Sequence, residues 1–190
     1  MKKIERSEVL GLGEYESIRD RFRARIIEEK KARRVRIADD LSLIFENRDT
    51  MLMQIQEMLR TERITSEHGI AHEIETYNEL VPGDSELSAT LFIEIPDRAR
   101  REEMLEKLCA IEEHVVFVID GEPIRATFEE GRRDKGRAAA VQYLKFPLTD
   151  SAKRAVALKK VGTLMIDHPQ LSATVGLPPA TIASLARDFG

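Results

Sequence analysis

Ile119, Asp120, Pro123, Ile124, Ala126 and Thr127 return, nearly in register, as Ile166, Asp167, Pro169, Leu171, Ala173 and Thr174. Each set follows a helix-like stretch that opens after a strand ending in a Pro and an Asp. An internal repeat constrains topology more than any single motif, because each copy must form one supersecondary unit. The unit read here is strand-helix-strand-strand. Two copies are too few for a solenoid, which needs three or more stacked repeats, so the economical arrangement is a pseudo-symmetric pair sharing one sheet. A seam between the copies is then the natural place for a pocket.

The rest of the chain separates into elements of clear period. Tyr15, Ile18, Phe22 and Ile26 recur at helical spacing from Glu14 to about Ala32. Val35 and Ile37, the turn residues Ala38 to Asp40, and Leu41, Leu43 and Phe45 read as a hairpin. Asn47 or Asp49 caps a second helix bearing Met51, Leu52, Ile55, Met58 and Leu59, and Ser66 caps a third with Ile70, Ile74, Tyr77 and Val81, stopped by Pro82 and Gly83. Strands dominate beyond that stop. Leu87 to Ile95 alternates with period two, and Val115 to Ile119 is an unbroken apolar run suited to a strand covered on both faces. The expected fold is a single α+β domain over residues 1–190: N-terminal helices and a β-hairpin (1–83) packed on a mainly antiparallel sheet built from the two repeated units (84–190).

Composition narrows the function classes. A formal net charge of -4 removes the global attraction that a general nucleic-acid binder uses. No stretch of eighteen apolar residues occurs and MKKIERSEVL has no signal-peptide core, so a cytoplasmic protein without a membrane span is expected. Cys109 is the only cysteine, which rules out an internal disulfide, and its place beside Leu105 and Leu108 suits an inert core thiol. The run Lys30, Lys31, Arg33, Arg34 and Arg36 is explained by the helix macrodipole and by protection of a strand edge.

Three constellations can carry chemistry. His68, His72 and Glu75 stand at i, i+4 and i+7, a spacing that places two imidazoles one helical turn apart for a divalent metal, although that face lies roughly opposite the apolar stripe, so the pair should be solvated as an ordinary polar face. Arg132, Arg133, Lys135 and Arg137, interrupted by glycines, can hold an anion through guanidinium forks and backbone amides, with Glu129, Glu130 and Asp134 offsetting the field. Gln54, Glu57 and Arg60 lie on polar stripes of the second helix that can line a cleft, where desolvation would make Glu57 a base. His168 before Pro169 is first a turn residue. No sequence signature of a cofactor is present.

The segments KKARRVRI, LSLIFENRDTMLMQIQEMLR, IETYNELVPGDSELSATLFIEIPD, KFPLTDSAKRAVAL and IDHPQL resemble the uncharacterised bacterial family called domain of unknown function 3501, over nearly the whole chain. That resemblance implies no reaction. It implies a context of rubrerythrin-like diiron proteins and iron-sulfur oxidoreductases, hence an accessory or binding protein of an oxidative-stress system whose partner is a rubrerythrin-like or iron-sulfur protein. A homodimer is compatible with this reading. The alternatives are a small enzyme or anion-binding protein with a cleft near Gln54, Glu57, Arg60 and the Arg132 to Arg137 loop, and a metal protein using His68, His72 and Glu75.

Overall fold

A computed structural model describes residues 1–128 and 136–189. Helix α1 (Leu12–Arg33) leads into the hairpin β1 (Arg34–Ala38) and β2 (Leu41–Glu46), followed by α2 (Arg48–Thr61) and α3 (Glu67–Asn78). The first repeated unit is β3 (Glu86–Ile93), α4 (Arg98–Lys107), β4 (Val115–Ile119) and β5 (Glu122–Arg125). The second is β6 (Val141–Pro147), α5 (Asp150–Ala157), β7 (Gly162–His168) and β8 (Leu171–Gly176), after which α6 (Pro179–Ala186) closes the chain. The helices start where side chains satisfy orphan backbone amides: Asn47, Ser66, Asp97 and Thr149 accept from the N–H groups of Thr50, Gly69, Arg100 and Ala152.

The fold is α+β, with two units as expected, but the units do not share one sheet. Two four-stranded antiparallel sheets form, in the orders β1-β2-β3-β6 and β5-β4-β7-β8. Each unit gives its first strand to one sheet and its hairpin to the other, the helix carrying the chain between them. Like pairs with like: β3 with β6, and β4 with β7. The β1–β2 hairpin extends the first sheet as its edge pair instead of packing upon it.

The residue echo is also two positions out of step with the structure. Ile119 pairs with Glu122 across an Asp120-Gly121 turn, and its counterpart is His168, which pairs with Leu171, not Ile166. Asp120 and Gly121 both have positive φ (50° and 82°), the type I′ geometry that Asp-Gly favours.

The sheets face each other across one apolar core. Phe45, Phe146 and Phe117 meet there edge to face or tilted, at centroid distances of 6.0 to 6.2 Å. The opposite face of the first sheet carries Ser42, Glu46, Ser88 and Thr90, all buried, with α1 against β2. Thr90 Oγ1 donates to Glu46 Oε1 at 2.7 Å. A second apolar cluster joins the N-terminal segment to α2 and α3 through Ile4, Met51, Ile55, Ile74 and Tyr77.

Arg33, read from the sequence as part of a basic surface run, is fully buried (0% exposed). Its guanidinium donates to the Phe45 carbonyl at 2.7 Å, to the Glu46 carbonyl at 3.0 Å and to both Asp188 carboxylate oxygens at 3.1 and 2.5 Å. It therefore ties α1, β2 and the C-terminal segment together. Replacing it leaves a buried carboxylate and two carbonyls uncompensated. In urea unfolding, Arg33→Met should lose about 3–5 kcal/mol. The neighbouring exposed pair, tested by Arg34→Met, should lose no more than about 1 kcal/mol.

Candidate functional site

The first sheet ends at β6, and its corner with the second sheet is made by Thr127 and Lys145. Their backbones exchange two hydrogen bonds of 2.7 and 2.8 Å. Beside this corner lies a cavity of about 680 Å³, walled by β6, by Ala138 and Ala139, by Phe128, and by Lys3 and Leu80 from the N-terminal half. Gln142 is 8% exposed and lines it. Its Nε2 donates to the Ala139 carbonyl at 3.1 Å, which fixes the amide orientation, and its Oε1 has no hydrogen-bond partner among the described residues. Arg23 Nε and Glu46 Oε2 are buried in the same condition, but neither residue lines the cavity.

Charge on the cavity wall is mixed. Lys3 Nζ donates to the Asn78 and Val81 carbonyls at 2.5 and 3.1 Å, and Lys145 Nζ donates to Glu86 at 3.0 Å. Burial, followed by the facing Lys145 ammonium, lowers the Lys3 pKa against the opposing pull of Glu86 and Glu79. Arg137, the described member of the expected anion loop, also lines the cavity and donates to Glu102 at 2.6 Å. Arg132, Arg133 and Lys135 lie outside the described residues.

The other expected sites fall elsewhere. Glu57 receives a fork from Arg19 at 2.8 and 2.9 Å and the Tyr15 hydroxyl at 2.6 Å. Arg19 holds the Glu57 pKa below the usual range, opposite to the shift a general base needs. Arg60 is forked onto Glu16 at 2.7 and 3.2 Å, and Gln54 lies close to Tyr77 of α3. These side chains fasten α2 to α1 and α3, and none of the three lines the cavity that contains Arg137. His68, His72 and Glu75 are exposed along α3, and no group of three His, Cys, Asp or Glu able to hold a metal occurs among the described residues. One helix face alone supplies ligands from one side only.

The structure also assembles a cluster that sequence reasoning missed. Arg125 of β5 forks onto Asp167 of β7 at 3.2 and 2.8 Å, and His114 Nδ1 lies 3.0 Å from Asp167 Oδ1. An ionised carboxylate only accepts, so Nδ1 carries the proton in this pair. Hydrogen bonding to Arg125, with a further contribution from His114, pulls the Asp167 pKa down to about 2. His168 packs edge-on against His114 with ring centroids 4.9 Å apart. Its Nδ1 accepts the Gln170 N–H at 3.1 Å and its Nε2 donates to the Cys109 carbonyl at 3.0 Å, so it is the Nε2–H tautomer and pins the hairpin turn. The one available signal was register: continuing the Val115–Ile166 pairing by one residue brings His114 opposite Asp167.

A family profile described as "Protein of unknown function (DUF3501)" matches residues 3–189. The chain belongs to this family. It is also similar to a crystallised novel protein of unknown function from Burkholderia pseudomallei K96243, with 35% identity, a TM-score of 0.94 and full coverage of both chains. No curated protein matches. The architecture described above is therefore shared with a family whose activity is not defined.

Asp167 ties the two repeated units together through Arg125, and its lowered pKa makes that tie sensitive to acid. Its contribution is fully present above the ordinary value of 3.8 and is lost as pH falls toward about 2, because the unfolded chain takes up the proton first. Asp167→Asn should therefore be less stable than the parent at neutral pH, with the difference shrinking between pH 3.8 and about 2 in urea unfolding series.

Proposed function

We propose that this protein is a binding protein that holds a small organic molecule in the cavity beside β6. The observation that carries the reading is Gln142, a residue of the cavity wall whose amide oxygen is buried and has no partner among the described residues. A buried acceptor left unsatisfied costs about 1–3 kcal/mol, a penalty that a hydrogen-bond donor on a ligand would relieve. The volume, about 680 Å³, suits a drug-sized molecule. Apolar walls supply contact area, while the few polar groups set orientation.

Within this reading the protein is an accessory component. The family resemblance supplies the class of system it would serve, one containing a rubrerythrin-like or iron-sulfur oxidoreductase. The cavity supplies the means by which a metabolite could be held for such a partner. The dyad of His114 and Asp167 lies in a neighbouring groove, and Phe128 lines both spaces.

Gln142→Leu separates binding from folding. The variant should be at least as stable as the parent in urea, by up to about 1 kcal/mol, because it removes an unsatisfied acceptor. It should also fail to retain, in native mass spectrometry, the metabolites that the parent captures from a cell extract. A parent that captures nothing would remove the reading.

A further inference from the structure

The turn that joins α5 to β7 carries the two most exposed large apolar side chains among the described residues, Leu158 at 70% and Val161 at 82%. Every residue from Ala157 to Val161 is exposed, between the buried residues Val156 and Gly162, so the turn projects from the surface. Its shape is fixed by the backbone. The Lys160 N–H donates to the Ala155 carbonyl at 2.9 Å and the Lys159 N–H to the Val156 carbonyl at 2.8 Å, the two bonds of a Schellman motif. Lys159 holds the left-handed position of that motif (φ 57°), where glycine is usual. The Asp120 N–H donates to the Val161 carbonyl at 3.1 Å, which fastens the turn to the β4–β5 hairpin. None of these residues lines the cavity beside β6.

We infer that this turn docks on an anionic lipid surface, with Leu158 and Val161 entering the headgroup layer and Lys159 and Lys160 meeting the lipid phosphates.

Charge and shape select the occupant. Arg154 lies one helical turn before Leu158 and is also exposed, so Arg154, Lys159 and Lys160 flank the apolar pair, with Asp120 as the acid bonded to the turn. A second copy presenting the same turn would set like charges against each other. For other protein partners the residue types are unsuited, because interface centres are depleted in lysine and their dominant contacts are seldom Leu or Val. A bilayer needs no matching recess, accepts aliphatic side chains from a projecting turn and attracts each lysine near its surface. The overall charge of -4 opposes approach to an anionic surface. Salt screens that repulsion beyond about 8 Å, so the cations nearest the lipid decide the orientation.

The chain has no tryptophan, so Leu158→Trp places a single fluorescent reporter in the turn. Its emission should shift to the blue with vesicles of mixed phosphatidylcholine and phosphatidylglycerol, but not with phosphatidylcholine alone. In vesicle sedimentation the unaltered protein should bind the mixed vesicles, and Lys159→Asn and Lys160→Ser should each weaken binding about fivefold. Leu158→Ser combined with Val161→Ser keeps the charges and removes the apolar contact. That variant should bind at least about tenfold more weakly while keeping the parent's urea midpoint, since both side chains are exposed in the folded protein. Failure of the unaltered protein to sediment with mixed vesicles would overturn the inference, as would full binding by the double serine variant or equal binding to phosphatidylcholine alone. An equal blue shift with soluble polyglutamate would overturn it in favour of an acidic protein partner.

Discussion

Neither sheet can be completed by one repeated unit. β3 needs β6 beside it and β4 needs β7, and both pairings join residues separated by roughly fifty positions of chain. Because each unit divides its strands between the sheets, the apolar core between them closes only when both units are in place. Phe117 from the first unit, Phe146 from the second and Phe45 from the N-terminal hairpin meet at that interface. The N-terminal part is bound into the same arrangement, since β2 pairs with β3 and Arg33 anchors α1 to the β2 backbone.

The cavity is a consequence of how this arrangement ends. β6 is the last strand of the first sheet, and it meets the second through the isolated bridge between Thr127 and Lys145. Beside that bridge the cavity is lined from three directions: by β6, by the segment that precedes it, and by the N-terminal residues with the end of α3. A pocket at the seam between the copies is what a paired repeat favours. Part of its wall comes from outside the repeat, because Lys3, Glu79 and Leu80 belong to the N-terminal part.

The electrostatics divide by role. Glu57 with Arg19, Arg60 with Glu16 and Asp167 with Arg125 are satisfied forks that hold elements together. Gln142 differs because half of its amide is engaged and half is not. That condition is shared by Arg23 and Glu46, and it is the place of Gln142 on the cavity wall that makes it the candidate binding group. A fully satisfied network resists change, whereas an unmet acceptor gains from a ligand.

Periodicity alone determined the helices, their caps, the hairpins and the two strand-helix-strand-strand units, because those features depend on neighbours within a few residues of one another. It could not determine that the units would split between two sheets, nor that the true equivalence pairs Ile119 with His168. Strand partners are chosen by burial across the whole core, and a two-residue slip preserves which face each side chain occupies. The same limit applies to function. Glu57, Arg60 and Arg33 read as solvated or cleft residues until distant partners claimed them, and His114, Asp167 and Gln142 acquired their settings from strand register and from a corner between sheets. Local chemistry is written in the sequence, but whether a polar group is satisfied is decided by what the tertiary structure brings within 3 Å of it.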